Sequence, residues 1–328
     1  MTPPRPSRRS RGVRALLAVA AVWLAVAVLA PLLGTQPLPW GALTGADPTG
    51  AAILWHLRLP RVLLALAAGG TLALAGLALQ TLFRNPLAEP YTLGVASGGA
   101  LGAALVFTFA GELPGLPLLA PASFAGAVGA TALVIALGRR GHGTETGRLL
   151  LAGVAVALTC QALILFLQYL SDATETLRMV RWLLGGLSVV GYREVLWVLP
   201  WSLLLAALLA ARRWELDLLL AGEEIAAARG ADVARLRHTL LLATCLAVGS
   251  LVAVAGPIGF VGLMVPHMLR RLVGSEHGLL VPACLLGGGA FLALCDLGAR
   301  TLLAPAELPV GVVTALLGGP FFLWLLRR

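Results

Sequence analysis

The 328-residue chain is 59% hydrophobic and only 12% charged, with a mean hydropathy of +0.91. Soluble domains carry roughly 25% charged residues, so this chain has too few charges to cover a water-facing surface. Its 24 basic residues are all arginine and its net charge is +9. Because the arginines lie mostly beside the ends of apolar runs, they fit the requirements of membrane topology. The composition excludes a soluble globular protein, and we expect no nucleic-acid partner.

Ten apolar runs follow one another along the chain, and each predicts a transmembrane helix, since a span needs roughly 20 apolar residues. The runs are 15–34, 62–83, 91–110, 117–138, 149–170, 195–211, 238–256, 257–269, 279–299 and 309–326. We therefore predict an all-α integral membrane protein of about ten transmembrane helices, embedded in a lipid bilayer.

Two segments do not fit a simple span. The run 257–269 is short and follows the helix-breaking pair Gly256-Pro257, which predicts either a short buried span or a re-entrant segment. Residues 171–194 have an apolar middle that is too short to cross the membrane. This segment is predicted to form a half-helix on the outer face.

The distribution of arginine predicts the topology. Residues 1–14 carry five arginines before the first apolar run, which is similar to a signal peptide. The run of about 19 residues is longer than a usual signal core, so we interpret 1–14 as an uncleaved cytoplasmic tail and 15–328 as one transmembrane domain. Ten spans place 18 arginines inside and 6 outside, whereas a re-entrant 257–269 gives 15 against 9. The positive-inside rule therefore favours ten spans and two cytoplasmic termini.

The sequence contains no catalytic constellation. Without lysine it cannot hold a G-x-x-x-x-G-K-[ST] phosphate loop, so we expect no ATP-hydrolysing site, no catalytic residue, no metal and no cofactor in this chain. Asp296 and Arg300 are one turn apart, a spacing that allows an ion pair. The four cysteines form no C-x-x-C pair and are interpreted as small buried residues: Cys160, Cys245, Cys284 and Cys295.

Polar residues on the two faces indicate possible partner contacts. Arg58, Arg61 and Arg300 oppose the inside bias of arginine, so they could present cations to an acidic partner; the alternative is ordinary snorkelling at the interface. On the inner side, 212–237 predicts two short amphipathic helices, the second ended by Gly230. Glycines spaced by four at Gly94, Gly98 and Gly102 predict close helix packing, with a dimer seam as the alternative.

Several longer stretches occur together in a specific order: RLPR at 58–61, LALAGLALQTLFRNPLAEPYTLGVASGGALGA at 72–103, GEEIAAARG at 222–230, GPIGFVGLMVPHMLRR at 256–271 and AELPVGVVTALLGGPFFLWLL at 306–326. In these stretches the chain resembles permease subunits of type II ABC importers for iron-siderophore, haem and cobalamin, the FecCD family. The resemblance covers nearly the whole chain. It implies the ten-helix type II ABC importer permease fold in the bacterial inner membrane, with a translocation path for an iron-siderophore or cobalamin and haem as a further possibility.

The resemblance also implies partners and site residues. The partners are a second permease subunit, expected as an identical copy, two cytoplasmic ABC ATPase subunits and a periplasmic substrate-binding protein. Binding-protein docking is carried over to Arg58, Arg61 and Arg300. ATPase coupling is carried over to Gly222, Glu223, Glu224, Ala227 and Gly230, within the cytoplasmic coupling segment 212–237. The cytoplasmic gate is carried over to Asn85 and Leu87, and by position only to a loop near Gly141 to Thr144.

Two other classes of function are possible. An ion-coupled secondary transporter usually carries acidic residues or unwound coordinating segments in the middle of the membrane. Only Asp296 qualifies here, and it lies near the end of a span. A membrane-embedded enzyme is the other alternative, and the lack of a catalytic constellation in the sequence counts against it.

Overall fold

The structure is a computed structural model that describes residues 8–35, 39, 41–109, 118–140, 143–144 and 146–327. The α-helices in this part of the chain are α1 (Arg8–Leu29), α2 (Gly41–Thr44), α3 (Pro48–Ala52), α4 (Leu59–Leu82), α5 (Val95–Phe109), α6 (Leu119–Gly138), α7 (Thr146–Leu170), α8 (Ala173–Leu183), α9 (Arg193–Ala211), α10 (Arg213–Ala221), α11 (Glu223–Ala228), α12 (Val233–Ala255), α13 (Val261–Val273), α14 (His277–Thr301) and α15 (Val310–Leu326). A π-helix covers Ile53–Arg58 and a 3-10 helix covers Pro90–Leu93. The strands β1 (Arg139–Arg140) and β2 (Gly143–Thr144) form one antiparallel pair.

Each of the ten predicted spans coincides with a helix. Seven helices of the described residues are long and apolar enough to cross a membrane, and α5 and α15 are shorter apolar helices. The tenth, α13, has 13 residues. The predicted all-α membrane fold is therefore confirmed, and part of the predicted tail 1–14 is helical because α1 begins at Arg8.

Helix α4 is the centre of the bundle. In the continuous helix from Pro48 to Leu82, 89% of the most apolar 18-residue stretch is buried, as expected for a helix that is apolar on all sides. Small residues let two neighbours approach its backbone closely. A Cβ atom on Gly76 would lie 1.9 Å from the Gly262 oxygen of α13, and one on Gly69 would lie 2.1 Å from the Gly288 oxygen of α14.

The glycine stripe at the start of α5 packs within the chain. A Cβ atom on Gly102 would lie 2.2 Å from the Ala122 oxygen of α6, and one on Gly98 would lie 2.3 Å from Ala130 Cβ. These contacts confirm the helix-packing interpretation for the two glycines. Gly94 instead follows the 3-10 helix as its C-cap.

The two irregular segments behave largely as predicted. In 171–194, α8 begins after Asp172, whose Oδ1 accepts the Glu175 backbone N–H at 2.7 Å, but the chain beyond Leu184 is not helical until α9. The helix break after Ala255 is packed inside the protein, where the Ala255 carbonyl accepts the N–H of Gly186 at 2.8 Å. Thirteen residues of α13 rise about 20 Å, less than the roughly 30 Å of a bilayer core.

Candidate docking, coupling and gate sites

The three predicted docking arginines meet at one end of α4 and α14. Arg61 Nε donates to Asp296 Oδ1 and Oδ2 at 3.0 and 3.2 Å, and its Nη1 donates to Glu307 Oε2 at 2.8 Å. Arg300 Nε lies 3.1 Å from Asp296 Oδ2, which confirms the predicted pair. Asp296 is thus held between two guanidinium groups. The contact between Asp296 and Arg61 could not be predicted from the sequence, because 235 residues separate the two partners.

This arginine cluster is recessed rather than spread over a rim. The relative exposures of Arg58 and Arg300 are 8% and 5%, and that of the Arg61 side chain is 13%. With Glu307 and residues 188–190, they line a cavity of about 460 Å³, which we call the arginine cavity. A partner carboxylate can therefore reach these guanidinium groups only by entering the cavity.

Proline explains how Arg58 is positioned. Pro60 has no N–H, and the preceding Leu59 N–H bonds the Leu54 carbonyl five residues back, as in a π-helix. The next two carbonyls are used by another segment, since Trp55 O accepts the Tyr192 hydroxyl and His56 O accepts the Gly191 N–H, both at 2.8 Å. Residues 188–192 are thereby tied to the turn that carries Arg58. The predicted start of this span at 62 missed the turn, because the helix extends back to Pro48.

On the opposite face, the predicted coupling segment forms two helices, as expected. The helices α10 and α11 meet at Gly222, where φ is +140° and ψ is 151°. Only glycine adopts this conformation readily. Gly222 and Glu223 are half-buried, whereas Glu224, Ala227 and Gly230 are exposed. Ile225, which the sequence did not single out, is 48% exposed, so α11 presents a small, partly apolar surface.

Polar contacts anchor this segment to the bundle. Glu223 Oε1 accepts from Arg237 Nη2 at 2.5 Å. Asp217 Oδ1 of α10 accepts the backbone N–H of His277 at 3.0 Å and lies 2.6 Å from its Nδ1. His277 Nε2 lies 3.0 Å from Thr81 Oγ1 near the end of α4. Sequence reasoning missed this link, which joins three helices through residues far apart in the chain.

The predicted gate residues lie just beyond α4. After the C-cap residue Phe83, Arg84 has a φ of 48°, and the Asn85 N–H closes the last turn on the Gln80 carbonyl at 3.2 Å. Asn85 Oδ1 also accepts the Leu87 N–H at 3.0 Å, while the Leu87 side chain is 39% exposed. This fixed turn holds an apolar side chain outward. In the second predicted gate loop, Gly143 and Thr144 form β2, and residues 141–142 lie outside the described residues.

Glu89 was not singled out from the sequence, although it follows the gate turn closely. Burial raises the pKa of Glu89 to about 7, and a hydrogen bond from the Phe260 backbone N–H partly opposes this shift. Phe260 precedes α13 with a φ of 68°. The carboxyl group therefore connects the gate turn to the start of α13.

The cysteines play the part that was predicted from the sequence. All four are free and buried. Their relative exposures are 7% or less for Cys160, Cys245, Cys284 and Cys295.

The structure is a bundle of apolar helices, with a recessed arginine cavity at one face and the exposed helix α11 at the other. These are features of a multi-pass membrane transport permease. The chain belongs to the FecCD transport family, whose model matches residues 16–328. The resemblance found in the sequence is thereby confirmed.

Three similar proteins illustrate this membership. The chain is 43% identical over 288 residues to the hemin transport system permease protein HmuU of Yersinia pestis, covering 84% of each chain. It is 39% identical over 328 residues to the vitamin B12 import system permease protein BtuC of Salmonella typhi, covering 98% of this chain and 97% of that one. It also resembles the solved structure of an inward-facing transporter described as being of the metal-chelate ABC type, with a TM-score of 0.84, 32% identity and coverage of 97% and 99%.

Proposed function

We propose that this chain forms the translocation path of an ATP-driven importer for a bulky metal chelate: a ferric siderophore, haem or cobalamin. The observation that carries the proposal is the similarity over 84% and 98% of the chain to permeases for hemin and vitamin B12. The glycine-rich, apolar helices suit a large substrate that must pass without binding tightly.

In this proposal the energy comes from other subunits, because the sequence has no phosphate loop. Two cytoplasmic ABC ATPases bind the exposed surface of α11, and a second copy of the permease completes the path. A periplasmic binding protein docks its carboxylates in the arginine cavity. Both termini lie in the cytoplasm, and the protein resides in the bacterial inner membrane.

The contacts support a mechanism for coupling. Closure of the ATPases displaces α10 and α11, and the link from Asp217 through His277 to Thr81 carries that displacement to α14 and α4. Helix movement then shifts the turn that carries Asn85 and Leu87, which open or close the inner end of the path. In this mechanism the chain changes conformation and breaks no covalent bond.

Reconstitution tests the proposal and names the substrate. Proteoliposomes would contain the permease, its cognate ATPase and the cognate binding protein, with a ferric siderophore, hemin or cobalamin as the labelled substrate and the other two as competitors. We expect ATP-dependent uptake of one substrate that only the same compound inhibits. Uptake that needs an ion gradient but no ATP would identify an ion-coupled transporter instead.

A further inference from the structure

The two carboxylates of the arginine cavity differ sharply in how firmly they are held. Asp296 has a side-chain exposure of 1% and contacts both Arg61 and Arg300 at 3.0 to 3.2 Å. Removing it would take away the carboxylate that is shared by two largely buried guanidinium groups and would leave Arg61 with Glu307 alone, which is costly. Asp296 is therefore a permanent part of the site.

Glu307 is more exposed than Asp296 and makes fewer contacts. Its side chain is 46% exposed, and the one ion pair found for it among the described residues is with Arg61 Nη1 at 2.8 Å. It lies on the exposed segment 302–307 between α14 and α15. An ion pair with such exposure contributes little to stability, so another carboxylate could displace Glu307 at small cost.

The cavity also holds unused hydrogen-bond donors. Arg300 Nε and Nη2 are buried, and within the described part of the chain they find no acceptor in hydrogen-bonding geometry. The described side chains of this cluster comprise three arginines and two carboxylates, Asp296 and Glu307, so their net charge is positive. The site is thus built to receive a further carboxylate.

We infer that Glu307 is an internal competitor, which occupies Arg61 in the free permease and is replaced there by a carboxylate of the docking partner. This inference rests on the proposed function, in which that partner is the periplasmic binding protein. Glu307 shields the arginines when no partner is present. It also weakens docking, so that the partner can leave after it has delivered its substrate.

The test measures the dissociation constant of the purified cognate binding protein for the permease–ATPase complex in nanodiscs. Glu307→Gln should tighten binding by about 2- to 5-fold, which corresponds to at most about 1 kcal/mol for the competing pair. Arg61→Gln should weaken binding, and Glu307→Gln should have no further effect in that background. If Arg61→Gln does not fold, Arg61→Lys is used in its place. Lysine keeps the charge but lacks the forked guanidinium group that holds both carboxylates.

Glu175→Gln is the matched control, because Glu175 is an acid of α8, outside the arginine cavity. We expect it to change binding less than twofold. Equal tightening by the two Gln variants would show a general charge effect and overturn the inference, as would an unchanged or weaker affinity of Glu307→Gln. If Arg61→Gln and Arg61→Lys both bind normally, the proposed docking role of the cavity fails instead.

Discussion

At the scale of single residues, the close approach of helices depends on glycines, which have no Cβ atom. Gly76 is the tightest case, since a Cβ atom there would lie 1.9 Å from a backbone oxygen of Gly262 that cannot move away alone. The sequence showed that the spans are rich in small residues. It could not show which glycine meets which helix, because that depends on the packing of segments about 190 residues apart.

Gly76→Ala should destabilise the protein. Overpacking typically costs about 1–3 kcal/mol, and we expect the thermal midpoint of the purified protein in detergent to fall by about 5 °C. Gly129→Ala is the control, since a Cβ atom at this helical position would have nothing within 4 Å and alanine favours a helix. Equal midpoints for the two variants would contradict the packing described for α4 and α13.

The arginines show a further limit of prediction at this scale. Positive-inside bias and family resemblance both led to Arg58, Arg61 and Arg300, and the structure places all three in one cavity. Glu307 escaped attention because an exposed acid near the end of a span has no distinctive sequence pattern. Its position beside Arg61 arises only from the tertiary fold.

At the scale of elements, short polar helices connect the inner face to the bundle. The amphipathic pattern and Gly230 predicted α10 and α11 correctly. The pattern could not predict that Asp217 would bond to His277, because the periodicity of a helix reports which face is apolar but not what it touches. This link is a polar contact between the coupling segment and the core, to which α10 also contributes the buried Leu216 and Leu219.

Asp217→Ala should loosen the coupling between ATP hydrolysis and transport. The change leaves the buried His277 without an acceptor for its backbone N–H, at a cost of about 1–3 kcal/mol. We expect substrate uptake in proteoliposomes to fall several-fold more than ATP hydrolysis. Glu215→Ala is the control on the same helix, because it removes only the ion pair with Arg212, which is worth about 0.5 kcal/mol or less. The same ratio of uptake to hydrolysis in both variants would argue against the link.

Ala227→Arg should prevent binding of the ATPase. Ala227 is exposed on α11, so a large cation there would obstruct a partner surface without disturbing the fold. We expect the amount of co-purified ATPase to fall at least tenfold, with an unchanged elution volume of the permease on size exclusion. Ala306→Arg, at an exposed position between α14 and α15 on the face that carries the arginine cavity, should co-purify normally. Retention of the ATPase by Ala227→Arg would show that α11 is not the contact.

At the scale of the whole molecule, hydropathy was sufficient to predict the helical architecture. Ten apolar runs predicted ten helices, since a bilayer leaves little alternative to a helix for an apolar run of this length. Helix ends were predicted less well. The span that contains Pro60 begins at Pro48, because the π-helix lets the chain continue through a proline that would normally mark a start.

The four buried cysteines make the topology easy to test. A membrane-impermeant maleimide should not label the unmodified protein, because the cysteines are at most 7% exposed. Leu302→Cys, at a position that is 71% exposed, should be labelled in intact spheroplasts. Ala228→Cys on α11 should be labelled only after permeabilisation. Labelling of Ala228→Cys in intact spheroplasts would invert the proposed orientation.

Helix α4 has a consequence for how events on the two sides of the membrane relate. It carries Arg61 in its first turn and Thr81 in its last, and its 24 residues extend about 36 Å. We expect a buried helix of this length, packed against its neighbours along its sides, to tilt as a rigid body. Under the proposed function, docking of the partner outside and nucleotide turnover inside therefore displace the same helix. The coupling is then reciprocal. If a tilt of α4 favours docking, docking favours that tilt, and the same tilt changes the free energy of nucleotide binding by the ATPases.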